Sequence, residues 1–364
     1  MAKGRYLQGA SRRSLLKQVG AAAIGISFAG GLSACGRSGG PRVNFHNWAT
    51  YVGETTLEDF RAVTGIPVNY TNFATNDELF AQLRPGNPGY DVVVPSNDYV
   101  SRLSQAQLIQ ELNPELIPNR ANILPEFQDA AFDPGRRYSM PYTWLCIGIG
   151  YRKSRMPRPD FVPDSWRYLL DSAQFSQRIA VLGESADLIR LAAKYKGHSI
   201  NAIPEAMLSE IEQMLMRQKA HIKQFHGDTG QDLLASREVD LVMEYNGDIA
   251  QVMRGDPDIG WVIPQEGSMQ NQDCLCIPIN APHLEEAHAF INYLLDGEAG
   301  AKIADYIQYA TPNAAARERM PENYKSNPVV YPTPGEVARL EYGAFEGDQV
   351  SRRYEEIFTR ISAA

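Results

Sequence analysis

The sequence predicts an α/β protein of two lobes, each a mainly parallel sheet flanked by helices. Three observations carry this. From residue 43 onward, apolar strand-like runs alternate with amphipathic helical segments, which calls for parallel strands joined by crossover helices. The alternation starts afresh after "DSWRYLLD" (164–171) with no flexible linker between. Two lobes that share several crossing strands account for that better than two beads on a string. Finally, 364 residues exceed one ordinary core.

The first element is not part of the fold. "SRRSLLK" (11–17) holds a twin arginine, with Leu15 where the usual consensus has Phe. A short Gly/Ala-rich apolar run and "LSAC" (32–35) follow. Residues 1–34 therefore read as an export signal of twin-arginine type ending in a lipoprotein box. An ordinary secretory signal is the alternative, and the apolar run makes a poor permanent membrane span. Cys35 is the expected lipidation site, and 35–41 the expected tether. Cleavage before Cys35 leaves 30 basic against 43 acidic residues, a net charge of −13. That balance lacks the basic field of a nucleic-acid binder and is compatible with a cationic ligand.

"RVNFHNW", "IPVNYTNF" and "YDVVVPS" read as strands, with helices "ETTLEDFRAVT" and "NDELFAQL" between them. In the first helix Leu57, Phe60 and Val63 share a face and Gly65 is placed to end it. "YDVVVPS" is apolar enough to be buried on both faces. "MPYTWLCIGIGYR" is a long apolar run containing glycines. In the second series "RIAVLG", "DLVMEYNG", "DIGWVIPQEG" and "QDCLCIPIN" read as strands, "SADLIRLAAKY" and "EAMLSEIEQMLMRQ" as helices, and the remainder as mostly helical.

An enzyme is the rival reading, and the motifs for one are missing. His221 and His226 lack the HExxH spacing, the GxSxG match at 36–40 falls in the tether and not on a strand-to-helix elbow, and no phosphate loop occurs. "GIG" at 148–150 is too short for a dinucleotide fingerprint. Neither a cofactor nor a metal site is expected. Cys274 and Cys276, two apart in a strand, face the same side and are not expected to bond to each other. A bridge from Cys146 to one of them needs neighbouring strands.

What recurs instead is acids beside aromatics where strands end. Trp48 and Tyr51 follow the first strand. Ser96, Asn97, Asp98 and Tyr99 follow the third. Glu184 and Asp187 follow "RIAVLG", Tyr245, Asn246 and Asp248 follow "DLVME", Asp273 precedes "CLCIPIN", and Tyr309 precedes "ATPN". Singly each has a plain role. Ser96 and the acids can cap helices or favour their dipoles, and a tyrosine can be core. Together, carboxylates and aromatic faces are what an organic cation needs.

"NWATYVGETTLEDFRAVTGIPVNY", "YDVVVPSNDYV", "MPYTWLCIGIGYR", "DSW", "INYLLDGEAGAKIADYIQYATPN" and "AAAR" resemble, in constant order from about Val43 to the C-terminus, the polyamine-binding proteins of bacterial spermidine/putrescine ABC transporters. The resemblance implies a two-lobed periplasmic binding protein of clamshell, type II-like form. The chain would cross between lobes near Cys146, Asp273 and Arg317, giving lobe 1 as 42–147 and 273–317 and lobe 2 as 148–272 and 318–364. It implies ligand contacts at Trp48, Tyr51, Ser96, Glu184, Asp187, Tyr245 (where a Trp is usual), Asp248, Asp273 and Tyr309. Ala49, Thr50 and Asn271 depart from the family, which there often has a hydroxyl, an acid and an aromatic. A smaller, more polar or guanidinium-bearing cation is therefore open beside putrescine and spermidine. Agmatine, a cationic amino acid and a compatible solute belong to that alternative. The implied partners are a small cation and an ABC permease, with a monomeric protein held to the membrane by lipid only.

Overall fold

The computed structural model describes residues 40–227 and 229–364. The export signal, Cys35 and tether residues 35–39 lie outside the described residues. Among the described residues ten strands form the framework: β1 (Val43–Asn47), β2 (Val68–Asn72), β3 (Val92–Val93), β4 (Ser139–Arg152), β5 (Ile179–Leu182), β6 (Ile222–His226), β7 (Leu241–Tyr245), β8 (Ile259–Val262), β9 (Ser268–Cys276) and β10 (Leu340–Tyr342). Their main path runs β2-β1-β3-β9-β4-β7-β5-β6, with β10 on β9 and β8 on β4.

The two outer portions are parallel, as the alternation requires: β1 with β2 and β3, and β5 with β6 and β7. Between them the 14-residue β4 is antiparallel to each partner. Its first part, Ser139–Cys146, pairs with β9, and from Ile147 it pairs with β7 and then β8. One strand thus hands the ladder from one portion to the other. Its register slips between Pro141 and Thr143. A proline cannot donate to the ladder, and a bulge re-aims the side chain that follows it.

Helix Thr56–Thr64 ends as read: Gly65 takes φ 76° and returns its N–H to the Arg61 carbonyl. Phe60 is fully buried and edge-packed on Phe290 at 4.9 Å. Val63 is 72% exposed, however, so the helix buries only its first two turns, at Thr56 and Phe60. Two strands escaped the sequence pattern. β6, "IKQFH", is an edge strand with Lys223 and Gln224 exposed, so it lacks a continuous apolar run. β10 is three residues long inside a helical stretch. Cys146, Cys274 and Cys276 are buried free thiols. β4 and β9 are indeed neighbours, but Cys146 is paired with Gln270 while Cys274 faces Pro141. The four-residue offset, roughly 13 Å at ~3.3 Å per residue, is beyond disulfide reach.

Candidate ligand-binding site

The carboxyl ends of β1, β3, β5 and β7 deliver seven of the nine predicted residues to one place, as strand ends do in open α/β sheets; Asp273, read as preceding a strand, lies inside β9, and Tyr309 follows helix Gly297–Ile307. Trp48 follows β1 directly. Its indole nitrogen donates to the Val94 carbonyl (2.8 Å), and its ring meets Phe73 at 4.4 Å between centroids. Tyr51 lies edge-on to both Tyr142 (5.6 Å) and Tyr309 (4.9 Å). Its hydroxyl bonds to Thr143, the residue just past the bulge in β4, and donates to Asp273 Oδ2 at 2.7 Å.

Ser96 occupies the N-cap position of helix Asn97–Gln105, yet its side chain makes no cap bond. Its Oγ donates instead to Asp273 Oδ1 at 2.7 Å. Ser96 thus orients the Asp273 carboxylate and does not cap the helix. Asn76 ties Ser96 to Glu184: its amide side chain exchanges two 3.1 Å bonds with Ser96, and its backbone N–H donates to Glu184 Oε1. Glu184 begins helix Ser185–Tyr195, and Asp187, in its first turn, accepts from the Tyr245 hydroxyl at 3.2 Å. Asp248, in the first turn of helix Asn246–Met253, accepts from the Tyr309 hydroxyl at 2.6 Å. Gly247 permits that contact, since a Cβ there would lie 2.3 Å from the Tyr309 ring.

Seven residues, Trp48, Tyr51, Ser96, Leu145, Tyr245, Asp273 and Tyr309, line one cavity. They leave room for about one water molecule. Asp248 stands behind Tyr309, and Glu184 and Asp187 behind Asn76 and Tyr245. All nine predicted residues therefore converge, but only six line the cavity itself. Sequence reasoning missed Asn76, Thr143 and Leu145. Asn76 reads as an ordinary helix start, and the other two sit in the apolar run of β4, where nothing marks a polar site.

The four carboxylates are almost wholly buried: Glu184 2%, Asp187 7%, Asp248 1% and Asp273 4% exposed. Among the described residues they accept bonds from hydroxyls, one side-chain amide and one backbone amide, not from lysine or arginine. Burial disfavours their charged forms. It pushes Asp273 up to about 6, although the hydroxyls of Tyr51 and Ser96 pull the other way. It pushes Asp248 to about 7, where Tyr309 lowers it and the Asp273 charge raises it. Asp187 also rises to about 7, through burial and then the Asp98 charge, with Arg190 opposing. Glu184 is raised well above the carboxylate range by burial and by Asp77 and Asp187. Burial thus favours the protonated forms of these four acids, which stand beside aromatic faces.

Among the described residues no three His, Cys, Asp or Glu side chains could together hold a metal ion. A wider surface groove of about 590 Å³ runs past Pro114, Arg120, Phe127 and Pro141. Glu115 is its one acid against Arg120 and Arg136, so it is a poor receptor for a cation.

Comparison with known proteins finds relatives along most of the chain. The family model for bacterial extracellular solute-binding protein matches residues 55–332. The putrescine-binding periplasmic protein of Pseudomonas aeruginosa is 28% identical over 342 residues, covering 90% of this chain and 93% of that protein. The spermidine/putrescine-binding periplasmic protein of Escherichia coli is 29% identical over 336 residues, covering 92% and 95%. A solved structure from Listeria monocytogenes, assigned provisionally to a spermidine/putrescine ABC transporter, superimposes with a TM-score of 0.84 at 30% identity, covering 89% of this chain and 99% of that one.

Proposed function

The chain belongs to the family of bacterial extracellular solute-binding proteins, and from that membership we propose that it is the capture component of an ABC importer for polyamines of the putrescine and spermidine class. It binds and does not turn its ligand over. The observation that carries the reading is the row of four buried, proton-retaining carboxylates set against Trp48, Tyr51, Tyr245 and Tyr309. Ammonium groups would supply the charge that the row lacks, and methylenes would lie on the aromatic faces. The specificity of the named relatives supports the same ligand class.

The cavity's small size supports a clamshell cycle in which lobe 1 (42–147, 273–317) and lobe 2 (148–272, 318–364) part to admit the amine and shut on it. Shielding from water then strengthens each charge contact. The bound form is what a membrane permease would receive. No helix among the described residues is long and apolar enough to cross a membrane. Attachment would come through lipid on Cys35, with more than one acyl chain since a single chain holds weakly. Mass spectrometry of the membrane-extracted protein should find Cys35 as the acylated first residue; an intact leader would contradict it.

A thermal-shift screen of putrescine, spermidine, spermine, agmatine and arginine tests the function. A ligand at about a hundred times its Kd should add about 2.7 kcal/mol to stability and raise the melting temperature by several degrees. The amine should be recovered unchanged. Stabilisation by agmatine or arginine alone would move the reading to a guanidinium solute. A flat response to all five, or consumption of the amine, would refute it.

A further inference from the structure

Helix Asn97–Gln105 follows the third strand in the proposed lobe 1, and its Asp98 and Arg102, four residues apart, share a face. Both reach residues of the proposed lobe 2. Asp98 Oδ2 accepts from Arg190 Nη1 at 2.8 Å, and Arg190 belongs to helix Ser185–Tyr195. Arg102 runs the other way: its Nη2 donates to Glu355 at 3.0 Å and its Nε to Asp348 at 3.4 Å. Those two acids lie seven residues apart, about two turns, on helix Asp348–Ala363. Each lobe thus offers one arginine to acids of the other. Both guanidiniums are buried, Arg102 at 4% and Arg190 at 3% exposed. Arg102 is also fixed within its own lobe, 3.4 Å from Asp77 and 3.9 Å over the centre of the Phe80 ring. Further bonds follow the same seam. Asn97 donates to the Gly343 carbonyl at 2.6 Å, Arg190 Nη2 donates to the Ala344 carbonyl, and Ser185 donates to Asp77 at 2.9 Å. None of these residues lines the ligand cavity.

We propose that this seam is an interlobe latch: the ion pairs of Arg102 and Arg190 form as the lobes shut, so the chain itself supplies part of the free energy that keeps an amine enclosed. The inference rests on the two-lobed, amine-binding reading and deepens it. The complete site exists only in the shut form, so apparent affinity scales with the share of that form. Contacts present in the shut form alone raise that share without touching the ligand. Reciprocal pairs of buried charge suit this task, since parting the lobes takes each partner's counterion away. A latch that never meets the ligand cannot tell one amine from another, so it tightens all of them alike.

The test uses Asp348→Asn with Glu355→Gln in the full mature protein. The pair of changes strips lobe 2 of the acids that Arg102 reaches and leaves Arg102 paired with Asp77 in lobe 1, so no buried guanidinium is stranded. Release of putrescine and of spermidine, followed by stopped flow at pH 8, should be at least about threefold faster than in the wild type, and alike for both. Losing two acids also slows the approach of a cation, which is why the dissociation rate is the quantity read. A dissociation rate equal to wild type overturns the latch, whatever the melting temperature does, and leaves the polyamine reading standing. If the wild type binds neither amine, the polyamine reading fails and ligand-free scattering at pH 6.5 decides the latch. There the wild type should be compact and the variant expanded; superimposed curves overturn the latch.

Discussion

Replacing Asp273 by alanine should weaken ligand binding by at least about 2 kcal/mol, close to thirtyfold in Kd, and by more than Glu184→Ala does. Of the four carboxylates, Asp273 alone lines the cavity. Both of its oxygens are held, one by Tyr51 and one by Ser96, each at 2.7 Å, so the charge is aimed before any ligand arrives. Truncating one partner of a shielded charge pair leaves the other without compensation, which is why the loss is large. Glu184 lies behind Asn76, whose backbone N–H it accepts, and Asp187 beside it can take over part of its role. Trp48→Ala should cost binding less, on the order of 1–2 kcal/mol, because a cation–π contact with packing is the smaller effect. Trp48 also anchors to Val94 and packs on Phe73, so its loss should lower the melting temperature as well.

The Asn variant at 273 separates binding from folding. Burial raises the Asp273 pKa above its unfolded value, to about 6. Its contribution to stability is therefore present below the unfolded pKa and is lost as pH rises through about 6. Asp273→Asn removes a charge that the ligand-free fold tolerates poorly at pH 8. Its ligand-free melting temperature should hold or rise while its affinity falls. Calorimetry and thermal melts on the same samples check both signs. Binding equal to wild type would place the anchoring charge elsewhere.

The second large effect is on pH. Asp273 titrates near 6 and Asp248 and Asp187 near 7, all raised chiefly by burial. An ammonium, protonated to about pH 10 as in lysine, binds only the ionised carboxylates. Below its pKa each group that must lose a proton weakens binding about tenfold per pH unit, so two groups should cost at least about a hundredfold between pH 8 and pH 5. The ligand-free protein should behave oppositely. At pH 5 the row is protonated and the closed form is favoured. Above about pH 7 the charges repel, and opening the lobes hydrates them. Scattering should show an expanded ligand-free protein at pH 8 that contracts on adding amine, and little change at pH 5. Affinity that is flat across this range would contradict the account.

Much of this was legible in the sequence because strand ends are. "RVNFHNW", "RIAVLG" and "DLVMEY" each carry an apolar run whose end marks where the next polar residue must sit; parallel pairing aligns the end of β1 with that of β3 and the end of β5 with that of β7, and the antiparallel strands β9 and β4 join the two sets. What remained hidden was set by contacts distant in sequence. The bulge at Pro141 turns Thr143 onto Tyr51, 92 residues away, and Asn76 bridges Ser96 and Glu184 only once three helix starts have met. Asp98 could be placed at a strand end, but its neutralisation by Arg190, 92 residues later, could not be read from spacing. β6 and β10 were missed because one is a half-exposed edge and the other is too short to show a period.

If the ligand's cations take over from the protons on the buried acids, those protons must leave on binding and can be counted. Calorimetric titration with putrescine at pH 6.5, repeated in buffers of different ionisation enthalpy, measures protons exchanged on binding. Net release of about one proton or more per ligand bound is expected, falling towards zero by pH 8 as Asp187, Asp248 and Asp273 ionise unaided. Zero exchange or net uptake at pH 6.5 would contradict it.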